Sequence, residues 1–113
     1  MAQGEVWWAD LGEPAGSEPG FRRPVVLVQG DAFNRSSLQT VVCVALTGNL
    51  RWGDAPGYVR LSARVTGLPT DSVANVSQVL TLDRTALTER VGRLSATNLG
   101  LVLTGIDVVL GRP

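Results

Sequence analysis

Two β-branched apolar runs, Pro24 to Gln29 (PVVLVQ) and Thr40 to Thr47 (TVVCVALT), most constrain what this chain can build. Side chains branched at Cβ are stiff and suit a pleated sheet, and each run is too short for a buried helix. Further strands are expected at Glu5 to Leu11, at Tyr58 to Ser62, at Ser72 to Leu82 and, briefly, at Val91 to Leu94. In Ser72 to Leu82 the alternation breaks between Val73 and Val76, as it does at a bulge. Turn-rich stretches separate the runs: Gly12 to Gly20, Gly48 to Gly57 and Gly67 to Asp71. Asp31 is expected to cap a helical turn through Ser37, and Asp83 a short helix through Glu89. From Leu99 the apolar residues Val102, Leu103, Ile106, Val109 and Leu110 recur at three and four, so a helix capped by Ser95 and stopped at Gly111 closes the chain. Five or six short strands and one amphipathic helix make a mainly β fold with helices, a strongly bent sheet or small barrel covered by the helix.

Composition narrows the chemistry. At 113 residues the chain has room for one core, so residues 1–113 are expected to form a single domain. There is no His, which removes Ser-His triads, paired-His ribonuclease chemistry and His-ligated zinc together. The lone Cys43, between Val42 and Val44, reads as a small buried hydrophobe. No metal or other cofactor is expected. The longest apolar run, Val41 to Leu46, is far short of the roughly 20 residues that span a bilayer, and Glu5 and Asp10 stand where a signal peptide would be basic or apolar. The expectation is a cytoplasmic protein without a membrane partner. Ten basic residues, all of them Arg, balance ten acidic ones, so any nucleic-acid site must be local.

Several segments in order resemble MazF/PemK toxins: Gly4-Glu5-Val6-Trp7, Asp10-Leu11 with Gly16-Ser17-Glu18, and Arg23-Pro24-Val25-Val26-Leu27-Val28. They are followed by Asp31 with Asn34-Arg35, Val44-Ala45-Leu46-Thr47, Gly67-Leu68-Pro69, Asp71-Ser72-Val73-Ala74, Gln78-Val79 and Gly92-Arg93-Leu94-Ser95, so the resemblance covers nearly the whole chain. It implies an SH3-like barrel of the MazF/PemK/CcdB type with a C-terminal amphipathic helix, assembled as a homodimer. It also implies a sequence-specific endoribonuclease toxin of a type II toxin-antitoxin system, restrained by a cognate MazE-like antitoxin that occupies the RNA groove. Single-stranded RNA would be cut without a metal, leaving a 2′,3′-cyclic phosphate and a 5′-hydroxyl.

Matched motif to motif, the resemblance puts the catalytic Arg at Arg23 and the catalytic Thr at Thr47. A guanidinium fork suits a phosphorane that gains negative charge, and a hydroxyl can donate to a non-bridging oxygen. RNA contacts are expected from Ser17 and Glu18 on the first loop, from Arg22 beside Arg23, from Gln78 in a strand, and from Trp52, which with Tyr58 could stack on bases. On spacing alone each has a plainer reading, as a solvated loop end, a strand former or a packing residue. Ser77 and Leu80 depart from the family pattern, which often has an acidic residue before the Gln and a basic one two positions after it. The rival readings are a protein-targeting, CcdB-like gyrase inhibitor and an inactive RNA- or antitoxin-binding member. CcdB-like chains carry a Trp close to the end, and Asp107 to Pro113 has none.

Overall fold

Each β-branched run forms a strand, and the loops between them are short enough to turn the chain back on itself. The computed structural model describes residues 1–13, 16–17 and 21–113. Among these residues there are six strands: β1 (Glu5–Asp10), β2 (Arg22–Leu27), β3 (Thr40–Thr47), β4 (Val59–Leu61), β5 (Ser72–Asp83) and β6 (Leu87–Arg93). Three helices join them: α1 (Asp31–Asn34), α2 (Ala63–Thr66) and α3 (Ala96–Val109). The strands make one sheet in the order β4-β5-β3-β2-β1-β6, with antiparallel pairing throughout.

Period-two alternation gives this sheet two buried faces. Val6, Val26, Val44, Leu46 and Val76 point to one side, where Val102 of α3 joins them and Leu99, Leu103 and Ile106 pack around it. Ala9, Val25, Leu27, Val41 and Cys43 point to the other, flanked by Trp7, Leu80, Leu82 and Leu87. Burying each Val or Leu fully stabilises the fold by about 1.5–3 kcal/mol before entropy is counted. Ser95 caps α3 by accepting from Asn98 N–H at 3.2 Å, and Gly111, at φ +69°, follows its end.

The sheet curls until its two edges meet through α2. Gly67 ends α2 at φ +84°, and a Cβ there would touch the Val91 carbonyl oxygen at 2.8 Å. Gly92 faces the Thr66 carbonyl oxygen equally closely, at 2.6 Å from where its Cβ would stand. Two glycines thus let α2 lie against β6 with no side chain between, which gives the bent sheet its barrel-like closure.

Several expected boundaries move. Asp31 is the first residue of α1 rather than its cap, and its carboxylate instead accepts from Gln3 N–H at 2.8 Å. Asp83 does cap a turn, accepting from Thr85 N–H at 2.9 Å, but that 3-10 turn spans only Arg84–Ala86. Leu87 to Glu89, expected as helix, pair with β1 instead, because cross-strand pairing with an already formed strand outweighs a weak local preference. The second loop holds a 3-10 turn at Leu50–Asp54, and α2 was not foreseen. The irregularity in β5 falls a little later than expected: between Val44 and Leu46 β3 advances two residues while β5 runs from Val79 to Ala74.

Candidate active site

The Arg-Pro segment opens β2 and the Thr closes β3, so antiparallel pairing brings the two ends level. The ladder pairs Val25 with Ala45 and Val26 with Val44, and the same register continued by two residues sets Arg23 opposite Thr47. Pro24 offers no N–H to that ladder, and the strands part here. The gap is a cleft of about 430 Å³, whose walls include Trp8, Phe21 to Pro24, Leu46 to Gly48 and Leu68 to Ser72. Arg22, Arg23 and Thr47 therefore share one cavity.

The two arginines are held differently. Arg22 stacks its guanidinium over Trp8, 4.3 Å from the ring centroid, and pairs with Glu89 at 3.1 Å. Arg23 is exposed and makes no ion pair among the described residues. Thr47 Oγ accepts from Asn49 N–H at 3.1 Å, which uses a lone pair and leaves its own hydroxyl proton free to be donated. The cleft thus joins an always-charged fork to an oriented hydroxyl donor. Such a pair stabilises a phosphate that gains charge; it does not readily take up a proton.

The other expected contacts lie outside this cleft. Gln78 on β5 donates its Nε2 to the Ser17 carbonyl at 2.9 Å and accepts from Asn75 Nδ2 at 2.6 Å, which ties Ser17 to the sheet. Trp52 stacks on Tyr58 with ring centroids 6.0 Å apart, and Tyr58 in turn hydrogen-bonds Ser77, one of the two positions that depart from the family pattern. Glu18 lies outside the described residues. Trp7 and Trp8 face opposite sides: Trp7 packs with the second cluster and donates its indole N–H to Glu5 at 3.0 Å, whereas Trp8 lines the cleft.

Sequence reasoning missed Ser72. It is 3% exposed, its hydroxyl has no hydrogen-bond partner among the described residues, and it forms part of the cleft wall. In the sequence it stands within the matched segment Asp71 to Ala74 and opens a strand, with nothing to mark its hydroxyl. Among the described residues no three His, Cys, Asp or Glu side chains come together as a metal site. No helix among them is long and apolar enough to cross a membrane.

The model of the family described as PemK-like, MazF-like toxin of type II toxin-antitoxin system matches residues 2–110. The chain is 44% identical over 110 residues to endoribonuclease MazF6 of Mycobacterium tuberculosis strain H37Rv, covering 97% of this chain and 96% of that protein. It is 38% identical over 111 residues to endoribonuclease MazF of Staphylococcus saprophyticus, covering 98% and 92%. Among solved structures it resembles an endoribonuclease in complex with its cognate antitoxin from a mycobacterial species, with a TM-score of 0.80, 25% identity, and 100% and 97% of the two chains covered.

Proposed function

The chain belongs to the PemK-like, MazF-like toxin family of type II toxin-antitoxin systems, and from that premise we propose that it is an endoribonuclease toxin that cuts single-stranded RNA at the Arg23–Thr47 cleft. The observation that carries the reading is the convergence of Arg23 and Thr47 in one cavity at the open end of the β2–β3 ladder.

The reaction uses the substrate's own nucleophile. The 2′-oxygen attacks phosphorus, the bond from phosphorus to the 5′-oxygen breaks, and a 2′,3′-cyclic phosphate and a 5′-hydroxyl result. One proton leaves the 2′-hydroxyl and one is gained by the departing oxygen. Arg23 holds the non-bridging oxygens as they gain charge, and Thr47 donates its free hydroxyl proton to the same group. Arg22, seated on Trp8 and paired with Glu89, shapes the cleft mouth and offers its remaining guanidinium N–H groups to the RNA backbone. Gln78 ties Ser17 to β5, and Trp52 with Tyr58 offers an aromatic face to a base. No metal takes part in this scheme. The working unit is a homodimer restrained by its own antitoxin, in the cytoplasm; the structure of the mycobacterial relative with its cognate antitoxin supports the partner.

The test is to incubate the purified protein with a mixed single-stranded RNA in EDTA, map the cut ends, and run Arg23→Ala and Thr47→Ala beside it. Discrete cuts with cyclic phosphate ends, lost by at least about 100-fold in each variant, are expected. No cutting by the wild type, or full activity in either variant, removes the reading.

A further inference from the structure

Ser72 stands in the wall between two cavities. On one side is the cleft of Arg23 and Thr47; on the other is a second cavity of about 320 Å³, lined by Leu50, Arg60, Leu61, Ser62, Val65, Asp71 and Ser72. Asp71 and Ser72 are common to both, so the cleft and the cavity adjoin. A buried hydroxyl without a partner is costly, and Ser72 carries one at the shared boundary.

The second cavity is furnished for a flat polar ring. Leu50 and Val65 give apolar walls. Arg60 lies across Gly53, where any Cβ would run into its side chain, and Asp54 holds its far nitrogen at 3.3 Å. Both groups of that pair are more than half exposed, so the guanidinium is free to exchange Asp54 for a ligand. Ser62 stands at the cap position of α2 but makes no side-chain cap bond, and Asp71 accepts from the first amide of that helix, Ala63 N–H, at 2.8 Å. Arg60 and Ser62, with the Asp71 carboxylate beside them, therefore line a space within the size range of small-molecule sites.

We propose that this second cavity is a base-reading subsite, taking the nucleobase next to the cut nucleotide and preferring one with an acceptor edge, guanine or uracil. The proposal rests on the nuclease reading above. Arg60 donates to the acceptor edge, as guanidinium groups do to guanine O6 and N7, while Leu50 and Val65 sandwich the ring. Sequence choice at one position beside the cut is thereby separated from the chemistry at Arg23 and Thr47.

The experiment sequences the cut sites that the wild type, Arg60→Ala, Val65→Trp and Ser72→Ala make in a single-stranded RNA pool of randomised sequence, with thermal unfolding of each protein alongside. The wild type is expected to require guanine or uracil at one position flanking the cut. Arg60→Ala, an exposed position, is expected to relax that requirement by about 5- to 100-fold while still cutting. Val65→Trp, which fills the cavity, should abolish it. Ser72→Ala, whose hydroxyl is sealed in the wall, should leave that preference unchanged and serves as the control. A wild type that cuts while Arg60→Ala keeps an unchanged motif overturns the subsite alone. A wild type that cuts no RNA overturns the nuclease reading and the subsite with it.

Discussion

Arg22 and Arg23 are neighbours with the same charge, and their surroundings separate them. Arg22 is committed to Trp8 and Glu89, whereas Arg23 faces the cleft without an ion pair among the described residues. Arg23→Lys keeps the charge and loses the fork, so its cutting rate should fall by at least about 10-fold with little change in unfolding temperature. A rate near wild type would show that charge alone suffices. Cys43 makes the opposite case. It is fully buried, and desolvation pushes its thiol up to about 12, so it stays protonated at any cellular pH. An alkylating reagent should leave it untouched in the native protein and modify it in urea. Glu5 is also buried, and burial works to raise its carboxyl. The hydrogen bonds from the Trp7 indole and the Ala2 amide, with Arg90 at 3.0 Å, outweigh that and hold it below its ordinary value. A depressed carboxyl stabilises the fold above its unfolded pKa and loses that contribution as pH falls through the folded one. Urea titrations should therefore show wild-type stability dropping on the acid side, with a shallower acid limb in Glu5→Gln.

At the scale of elements, α3 is held on the sheet by a close backbone approach. A Cβ on Gly105 would run into the Gly57 carbonyl oxygen and meet Val76 at 3.0 Å, so the helix sits where only glycine fits. Alanine in mid-helix ordinarily gains stability over glycine; here Gly105→Ala should lose about 1–3 kcal/mol in urea unfolding, because the overlap exceeds the gain in propensity. The three-and-four spacing of apolar residues made α3 legible in the sequence, and unbroken β-branched runs did the same for β2 and β3. The four-residue α2 was not, because so short a helix has no periodicity to read and exists by packing on β6. Leu87 to Glu89 misled for a similar reason: Asp83 is a true cap signal, but partner β1 lies some eighty residues away. Arg23 and Thr47 could be named only through the family resemblance. What unites them is a register between two strands, which no local pattern shows. Ser72 belongs to a matched segment, but its unpaired hydroxyl is a property of the assembled wall and has no mark in the sequence.

Over the whole molecule, ten positive and ten negative groups cancel, so RNA is not drawn in by a general field. Binding must come from a few placed guanidinium groups. If three or four phosphates are neutralised, the logarithm of affinity should fall with the logarithm of salt at a slope of about −2 to −3 for a single strand. A catalytically silent Thr47→Ala protein titrated with RNA at several salt concentrations measures it, and a slope steeper than about −6 would mean a far wider charged footprint. The sheet order carries one more consequence. The first strand lies between the second and the last, β6, which ends at Arg93. During synthesis the chain leaves the ribosome from its N-terminus, so β1 waits for its outer neighbour until nearly every other element is out. A chain laid out in this way cannot close its sheet as it emerges, and the closing pairing of β1 with β6 comes only once most of the sequence has been made.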